Sequence, residues 1–492
     1  MSDYEKSTSW KTLDRDLSRI SVLESANAYV AKPMVAPGLA LAFLILAGLV
    51  SVIFFADGSK NYIVVAAAVM GAYMAINIGA NDVANNMAPA VGANALTMTG
   101  AIAIAALFES MGALLAGGDV VSTISKGIID PSGIMDPDIF IWAMMAALIS
   151  SALWVNLATW VGAPVSTTHS VVGGVMGAGI AAAGLVAVNW PTMGKIAASW
   201  VISPVLGGII AAIFLSLIKS KIIYTDNKIE NARRWVPILI AIMVGAFSTY
   251  LAMKGLKKIV KIDITIALSI GLVMAVLSYF VSKPLIHKQS TGLENRNKSV
   301  KILFRIPLIF SAALLSFAHG ANDVANAVGP LAAIVHSAQF DSFSTKVVIP
   351  LWVMMIGAFG ISFGLFLFGP KLIRRVGSQI TKLNPMRGYC IALSAAITVI
   401  IASWLGLPVS STHIALGGVF GVGFFREWDA ERRKALNLSS GKTKSLATKE
   451  RHRRKLVRRS HFITILAAWV ITVPCAAMIS GIIYICLHNL VA

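Results

Sequence analysis

GANDVAN occupies residues 79–85, and the same seven residues return at 320–326. Each copy lies inside an apolar stretch, so each sets an acidic side chain, Asp82 or Asp323, where bilayer hydrocarbon is expected. A carboxylate at that depth costs roughly 2.5–3.5 kcal/mol on insertion scales, so two copies in matched settings mark a duplicated polar site.

The surrounding chain is membrane-like. It is 57% hydrophobic and 13% charged, with a mean hydropathy of +0.77 over 492 residues, outside the range of a soluble domain. Apolar runs near 20 residues predict helical spans at 36–56, 62–95 (interrupted), 99–118, 139–161, 163–185, 195–218, 236–253, 263–281, 304–335 (interrupted), 346–368, 387–404, 407–425 and 461–486. The expected fold is all-α and polytopic, with about 12–13 transmembrane or re-entrant segments.

Residues 1–35 hold five basic and five acidic residues before any apolar run. That excludes a signal peptide and predicts a cytosolic tail, followed by an extra span in 36–61. Cys390, Cys475 and Cys486 all fall in predicted spans, an odd number that argues for packing rather than disulfides. The net charge of +20 is concentrated in loops. Residues 36–218 carry only Lys60, Lys126 and Lys195, whereas 426–460 carry thirteen Lys or Arg with four acids. This pattern sets orientation in a membrane and argues against nucleic acid as a partner. The Arg-rich run 451–459 is suited to anionic lipid.

A second motif repeats as well. GAPVSTTHSVVGGVMG begins at Gly162 and GLPVSSTHIALGGVFG at Gly406, and a weaker echo pairs Trp200–Pro204 with Trp469–Pro474. The offsets are 241 for the heptapeptide, 244 for the second motif and 269 at the Trp, where the insertion 426–460 intervenes. The halves are therefore repeat 1 at 62–218 and repeat 2 at 304–486, joined by a linker, 219–303, with two transmembrane helices. Seven spans between residues 62 and 303 make the repeats inverted. With the N-terminus cytoplasmic, 219–235, 282–305, 371–387 and 426–460 fall inside and the acidic loop Asp130–Asp138 outside. Lys254, Lys257, Lys258 and Lys261 are the one basic group left outside.

Inverted repeats place a site at the midplane, on broken helices. Gly79 and Gly320 are expected to release helical geometry there. Asn81, Asp82 and Asn85, with Asn322, Asp323 and Asn326, offer hard oxygens to a small cation, or else form a hydrogen-bond clamp between helices. In PVSTTH and PVSSTH, Pro suits the first helical position. Ser166, Thr167 and Thr168, with Ser410, Ser411 and Thr412, add hydroxyls to a helix N-terminus, where an oxyanion binds well. Ordinary capping is the alternative. His169 and His413 donate to the anion, sense pH, or simply bond to a carbonyl. His319 and Glu109 break the symmetry, their aligned positions being Ile78 and Met354, and Glu109 is expected to take part in cation or proton coupling. The chain has no GxxxxGK(S/T) loop, no Cys/His cluster with metal-ligand spacing and no differentiated acid–base pair. No cofactor and no enzymatic activity are expected.

Taken together, the two GANDVAN copies with PVSTTH and PVSSTH in order resemble the inorganic phosphate transporter (PiT) family across 62–486. The resemblance implies cation-coupled phosphate uptake on an inverted-repeat fold. It implies a coupling cation, Na+ favoured over H+, at Asn81, Asp82, Asn322 and Asp323, and phosphate cradled by the Ser/Thr runs. Glu109 matches an acid that follows the first motif in phosphate-transporting members. Met87-Ala88, in place of the usual small Gly, and the span 36–56 depart from the pattern. The expected location is the plasma (bacterial inner) membrane, among lipid, with a homo-oligomer compatible. A sulfate or other oxyanion carrier, an anion channel and a receptor are the competing readings.

Overall fold

The computed structural model describes residues 3–55, 60–129, 136–161, 165–255, 262–340, 349–379, 384–439 and 459–491. Among them there is no strand. The helices are α1 Asp3–Phe54, α2 Asn61–Asn81, α3 Val83–Gly92, α4 Met98–Ala116, α5 Gly118–Lys126, α6 Pro137–Val161, α7 Thr167–Ala183 and α8 Trp190–Ile218. After a π-helical turn at Lys219–Ile223 come α9 Lys228–Lys254, α10 Ile264–Ser290, α11 Asn297–Leu303, α12 Arg305–Phe340, α13 Leu351–Gln379, α14 Pro385–Trp404, α15 Ser411–Ser439 and α16 Arg459–Val491. Eleven helices among the described residues are long and apolar enough to cross a bilayer.

The two repeats are interleaved through reciprocal contacts. A Cβ on Gly320 of α12 would strike the Glu109 carbonyl of α4, and one on Gly112 would strike that of Phe317. In the other half, a Cβ on Gly79 of α2 would strike the Ile361 carbonyl of α13, and one on Gly364 that of Ile76. The same exchange joins the last helices. Gly173 and Gly177 of α7 close on the Val473 and Ala477 carbonyls of α16, while Gly417 and Gly421 of α15 close on those of Pro204 and Gly208 in α8. Each repeat thus lends its final helix to the other.

These contacts correct three expectations. Neither heptapeptide unwinds its helix at the glycine, and the one interruption falls at Asp82, between α2 and α3. α12 runs unbroken through Gly320, and Asp82 between α2 and α3 keeps helical angles, φ −88° and ψ −36°. The spacing of small residues lets backbones touch, so the lost Cβ is used for close approach rather than for unwinding. Second, Glu109 corresponds to Ile361 rather than Met354, since both carbonyls meet the heptapeptide glycine of the other half. Third, Pro408 lies ahead of α15, not in its first turn; Ser410 is the cap, its Oγ accepting from His413 N at 3.3 Å. Pro164, Lys257, Lys258, Lys261 and residues 440–458 lie outside the described residues.

The motif helices α7 and α15 are second arms of antiparallel hairpins. Ser151 Oγ of α6 donates to Ser170 O at 3.1 Å, and Gly174 packs on Ser150 and Ser151. Gly418 of α15 packs likewise on Ser394 of α14. Of the basic group predicted outside, Lys254 is ion-paired with Asp119. At the other end of the bundle, Lys219 Nζ reaches Asp429 Oδ2 at 2.7 Å, the Tyr224 hydroxyl bonds to the same oxygen, and the Arg433 guanidinium stacks on the Tyr224 ring. This node ties the end of α8 to α15.

Candidate functional site

The hairpin tips and the two heptapeptides converge on one buried cluster. Asp82 is its centre. Thr167 Oγ1 donates to Asp82 Oδ2 at 2.6 Å, and Thr412 Oγ1 donates to Oδ1 at 3.2 Å, one hydroxyl from each repeat. Asn85 Nδ2 donates to Thr412 Oγ1 at 2.8 Å; Asn326 Nδ2 donates to Thr167 Oγ1 at 3.2 Å and to Thr168 Oγ1 at 3.1 Å. Thr168 passes its own proton to Val409 O at 3.0 Å. Ser166 and Ser410 act as caps, their Oγ atoms accepting from His169 N and His413 N. Of the six predicted hydroxyls, Thr167 and Thr412 therefore turn their protons to Asp82, and Ser411 Oγ is buried without a partner.

The first Asn of each heptapeptide braces the hairpin of its own repeat. Asn81 Nδ2 donates to Thr159 Oγ1 at 2.7 Å; Asn322 Nδ2 donates to Ser403 Oγ at 3.0 Å and Leu407 O at 3.1 Å, and its Oδ1 accepts from Val409 N. Thr159 and Ser403 were not singled out from sequence, although they share the 244-residue offset of the motif that follows them.

The second half is charged differently. His319 is fully buried, with Nδ1 2.6 Å from Glu109 Oε2 and Nε2 3.0 Å from Asp323 Oδ2, the latter too poorly aimed for a hydrogen bond. Glu109 Oε1 accepts from Asn86 Nδ2 at 2.9 Å. The three symmetry-breaking polar residues thus touch one another. Asn86, whose counterpart is Ala327, was missed because it lies one residue past the repeated heptapeptide.

Ligand atoms of Asp82, Asp323 and His319 all lie within 4.8 Å of one another. Two carboxylates about 5 Å apart repel by about 3 kcal/mol at an effective dielectric near 20, so the pair calls for a positive charge. Both Asp323 oxygens, Asn326 Oδ1 and Ser411 Oγ are each buried without a hydrogen-bond partner, and each is a hard oxygen of the kind a small cation takes. Above the hairpin tips, the rings of His169 and His413 meet edge to face at 4.7 Å. His169 also packs on Trp200 at 3.9 Å, and Trp200 Nε1 donates to Pro408 O at 3.1 Å.

A helical membrane protein with a duplicated, buried carboxylate-and-hydroxyl cluster has the anatomy of a carrier for small ions. The chain belongs to the phosphate transporter family, whose profile matches residues 78–480. It is 46% identical to a Helicobacter pylori protein assigned as a phosphate permease, covering 96% of this chain and 98% of that one. A Pyrococcus furiosus protein with the same assignment is 38% identical over 84% of this chain and 94% of its own length. A solved structure of the sodium-dependent phosphate transporter superposes with a TM-score of 0.78 at 35% identity, covering 87% of this chain and 99% of that one.

Proposed function

We propose that the protein is a secondary active transporter that imports inorganic phosphate, coupled to a cation gradient with Na+ favoured over H+. It works across the plasma membrane with its N-terminus cytoplasmic, and its two repeats are inverted. The observation that carries this reading is the hydroxyl pair on Asp82, one from each repeat, with the unpartnered Asp323 carboxylate within 4.8 Å of it.

The first-turn N–H groups of α7 and α15, with the Thr167 and Thr412 hydroxyls, form a donor cradle for an oxyanion. Phosphate near neutral pH keeps a proton and donates it to the Asp82 carboxylate. Sulfate has none to give, and its oxygens face that carboxylate directly. The cation binds at Asp323, Asn326 Oδ1 and Ser411 Oγ, with Asp82 near by. Coupling follows from charge: a phosphate anion entering beside two carboxylates is repelled until the cation is present. The sodium dependence of the structural neighbour supports Na+ in that role. The exposed apolar faces of α10 and α16, with Leu272, Val273 and Met478 among them, contact lipid.

Purified protein in proteoliposomes tests the reading. Labelled phosphate should accumulate under an imposed inward Na+ gradient, less under a proton gradient, with sulfate a poor competitor. Counterflow should accelerate exchange, as a carrier does and a pore does not. Sulfate accumulation in preference to phosphate would overturn the substrate.

A further inference from the structure

The hydrogen bonds around Asp82 form one directed chain. Asn326 donates to Thr167, which donates to Asp82; from the other side Asn85 donates to Thr412, which donates to the same carboxylate. Three of the four links cross between repeats. A threonine hydroxyl has one proton, and where its oxygen is taken by an amide N–H that proton must point elsewhere.

The amide directions follow from the same count. If Asn326 were turned over, its Oδ1 would need protons from Thr167 and Thr168. Thr167 would then have none for Asp82, and Thr168 none for Val409 O. Turning Asn85 over would likewise take the Thr412 proton away from Asp82. Only amides that donate to the threonines leave both Asp82 and the Val409 carbonyl served.

We propose that Asn85 and Asn326 are positioning residues, each occupying from across the repeat interface the oxygen of a cradle hydroxyl, so that Thr412 and Thr167 can only donate: to Asp82 before the oxyanion arrives, and to the oxyanion once it sits beside Asp82. This rests on the reading of those hydroxyls as the phosphate cradle. It assigns the last Asn of GANDVAN a task on the anion side, where the sequence placed it only with the cation. In Asn326 the two tasks divide between atoms: Nδ2 holds the hydroxyls, and Oδ1 remains for the cation. Binding is helped because a hydroxyl whose oxygen is already occupied has fewer orientations to lose when the anion arrives.

The test is a double-mutant cycle read on the apparent KM for phosphate in proteoliposomes at saturating Na+. Thr412→Ala removes a hydrogen bond to a charged group and should raise KM on the order of tenfold. Asn85→Ala should raise it by a smaller factor while maximal turnover per folded protein stays close to wild type. Asn85 acts through the Thr412 hydroxyl, so the double variant should match Thr412→Ala alone. The isosteric Asn85→Asp, which can only accept, should turn the hydroxyl round and raise KM more than Asn85→Ala. Effects that multiply in the double variant, or a phosphate KM unchanged in Asn85→Ala, would overturn the proposal. Asn326 is 1% exposed; should its variants fail to fold, Asn85, which is partly exposed, carries the test alone. A wild-type protein that moves no phosphate would instead remove the underlying transport reading before any variant is compared.

Discussion

Ser110 and Ser362 touch each other, Oγ to Oγ at 2.8 Å, and their hydroxyls reach across to matched carbonyls. Ser110 faces Ala358 O at 3.5 Å, and Ser362 donates to Ala106 O at 2.9 Å. A single offset of 252 relates both serines and both alanines, so α4 and α13 make the same contact on each other. Glu109 stands one residue from that crossing, with Ile361 as its uncharged counterpart. The charge asymmetry of the site therefore begins one residue away from its most symmetric contact.

The glycines at the helix crossings make a stability prediction. Gly320→Ala drives a methyl into the Glu109 carbonyl, and backbone cannot swing aside as a side chain does. Overpacking of this kind costs about 1–3 kcal/mol or more. The variant should melt well below wild type in detergent, and Gly194→Ala, where nothing lies within 4 Å, should not. Equal melting temperatures would return Gly320 to a conformational role.

Asp82→Asn and Asp323→Asn should each abolish gradient-driven phosphate uptake while the protein still inserts and elutes as a single species. The first loses the carboxylate that takes both hydroxyls; the second loses one of the two carboxylates that flank His319. Uptake near wild-type rates in both would remove the carboxylates from the cation site.

The hydroxyls should separate by role. Thr167→Ala should raise the phosphate KM by about tenfold, from one lost bond to a charged group. Thr168→Ala, whose proton goes to Val409 O, should lower thermal stability and leave KM within about twofold. The reverse ranking would show that the wrong hydroxyls face the anion.

Burial alone would push Asp429 up from its ordinary 3.8, but hydrogen bonds from Lys219 and Tyr224, with the charges of Lys219 and Arg433, hold it below that value. A depressed carboxylate contributes stability that is complete above the unfolded value and lost as pH falls through the folded one. The gap in melting temperature between wild type and Asp429→Asn should thus stay constant from pH 6 to 8, and narrow only in acid below about pH 4. A gap that closes between pH 8 and 6 would contradict the assignment.

Orientation rests on loop charge. A cysteine at Ser440, in a background lacking Cys390, Cys475 and Cys486, should resist an impermeant maleimide in intact cells and react after lysis. Labelling of intact cells would reverse the orientation of every span.

Much of this was legible in the sequence. The offsets of 241, 244 and 269 recur in the structure as contacts: Asn85 on Thr412 matches Asn326 on Thr168, and Gly173 on Val473 matches Gly417 on Pro204. What a side chain does once there was less legible. Gly79 and Gly320 read equally well as hinges or as contact points, since only the carbonyl of another helix decides between them. The register of α4 against α13 was missed because no shared motif marks it. The caps at Ser166 and Ser410 resemble ligand-facing hydroxyls in sequence, and only the His169 and His413 N–H groups tell them apart.

The exchange of final helices bears on how the chain is made. The Gly173 and Gly177 face of α7 is closed by α16, which leaves the ribosome long after α7 does. Until then the first hairpin waits in the bilayer with a bare glycine groove, although every residue of its own repeat is already synthesised. Assembly therefore cannot proceed one half at a time, and a chain cut short before residue 470 should leave both halves unfinished. Quality control in the membrane has a late event to monitor, the docking of α16 on α7.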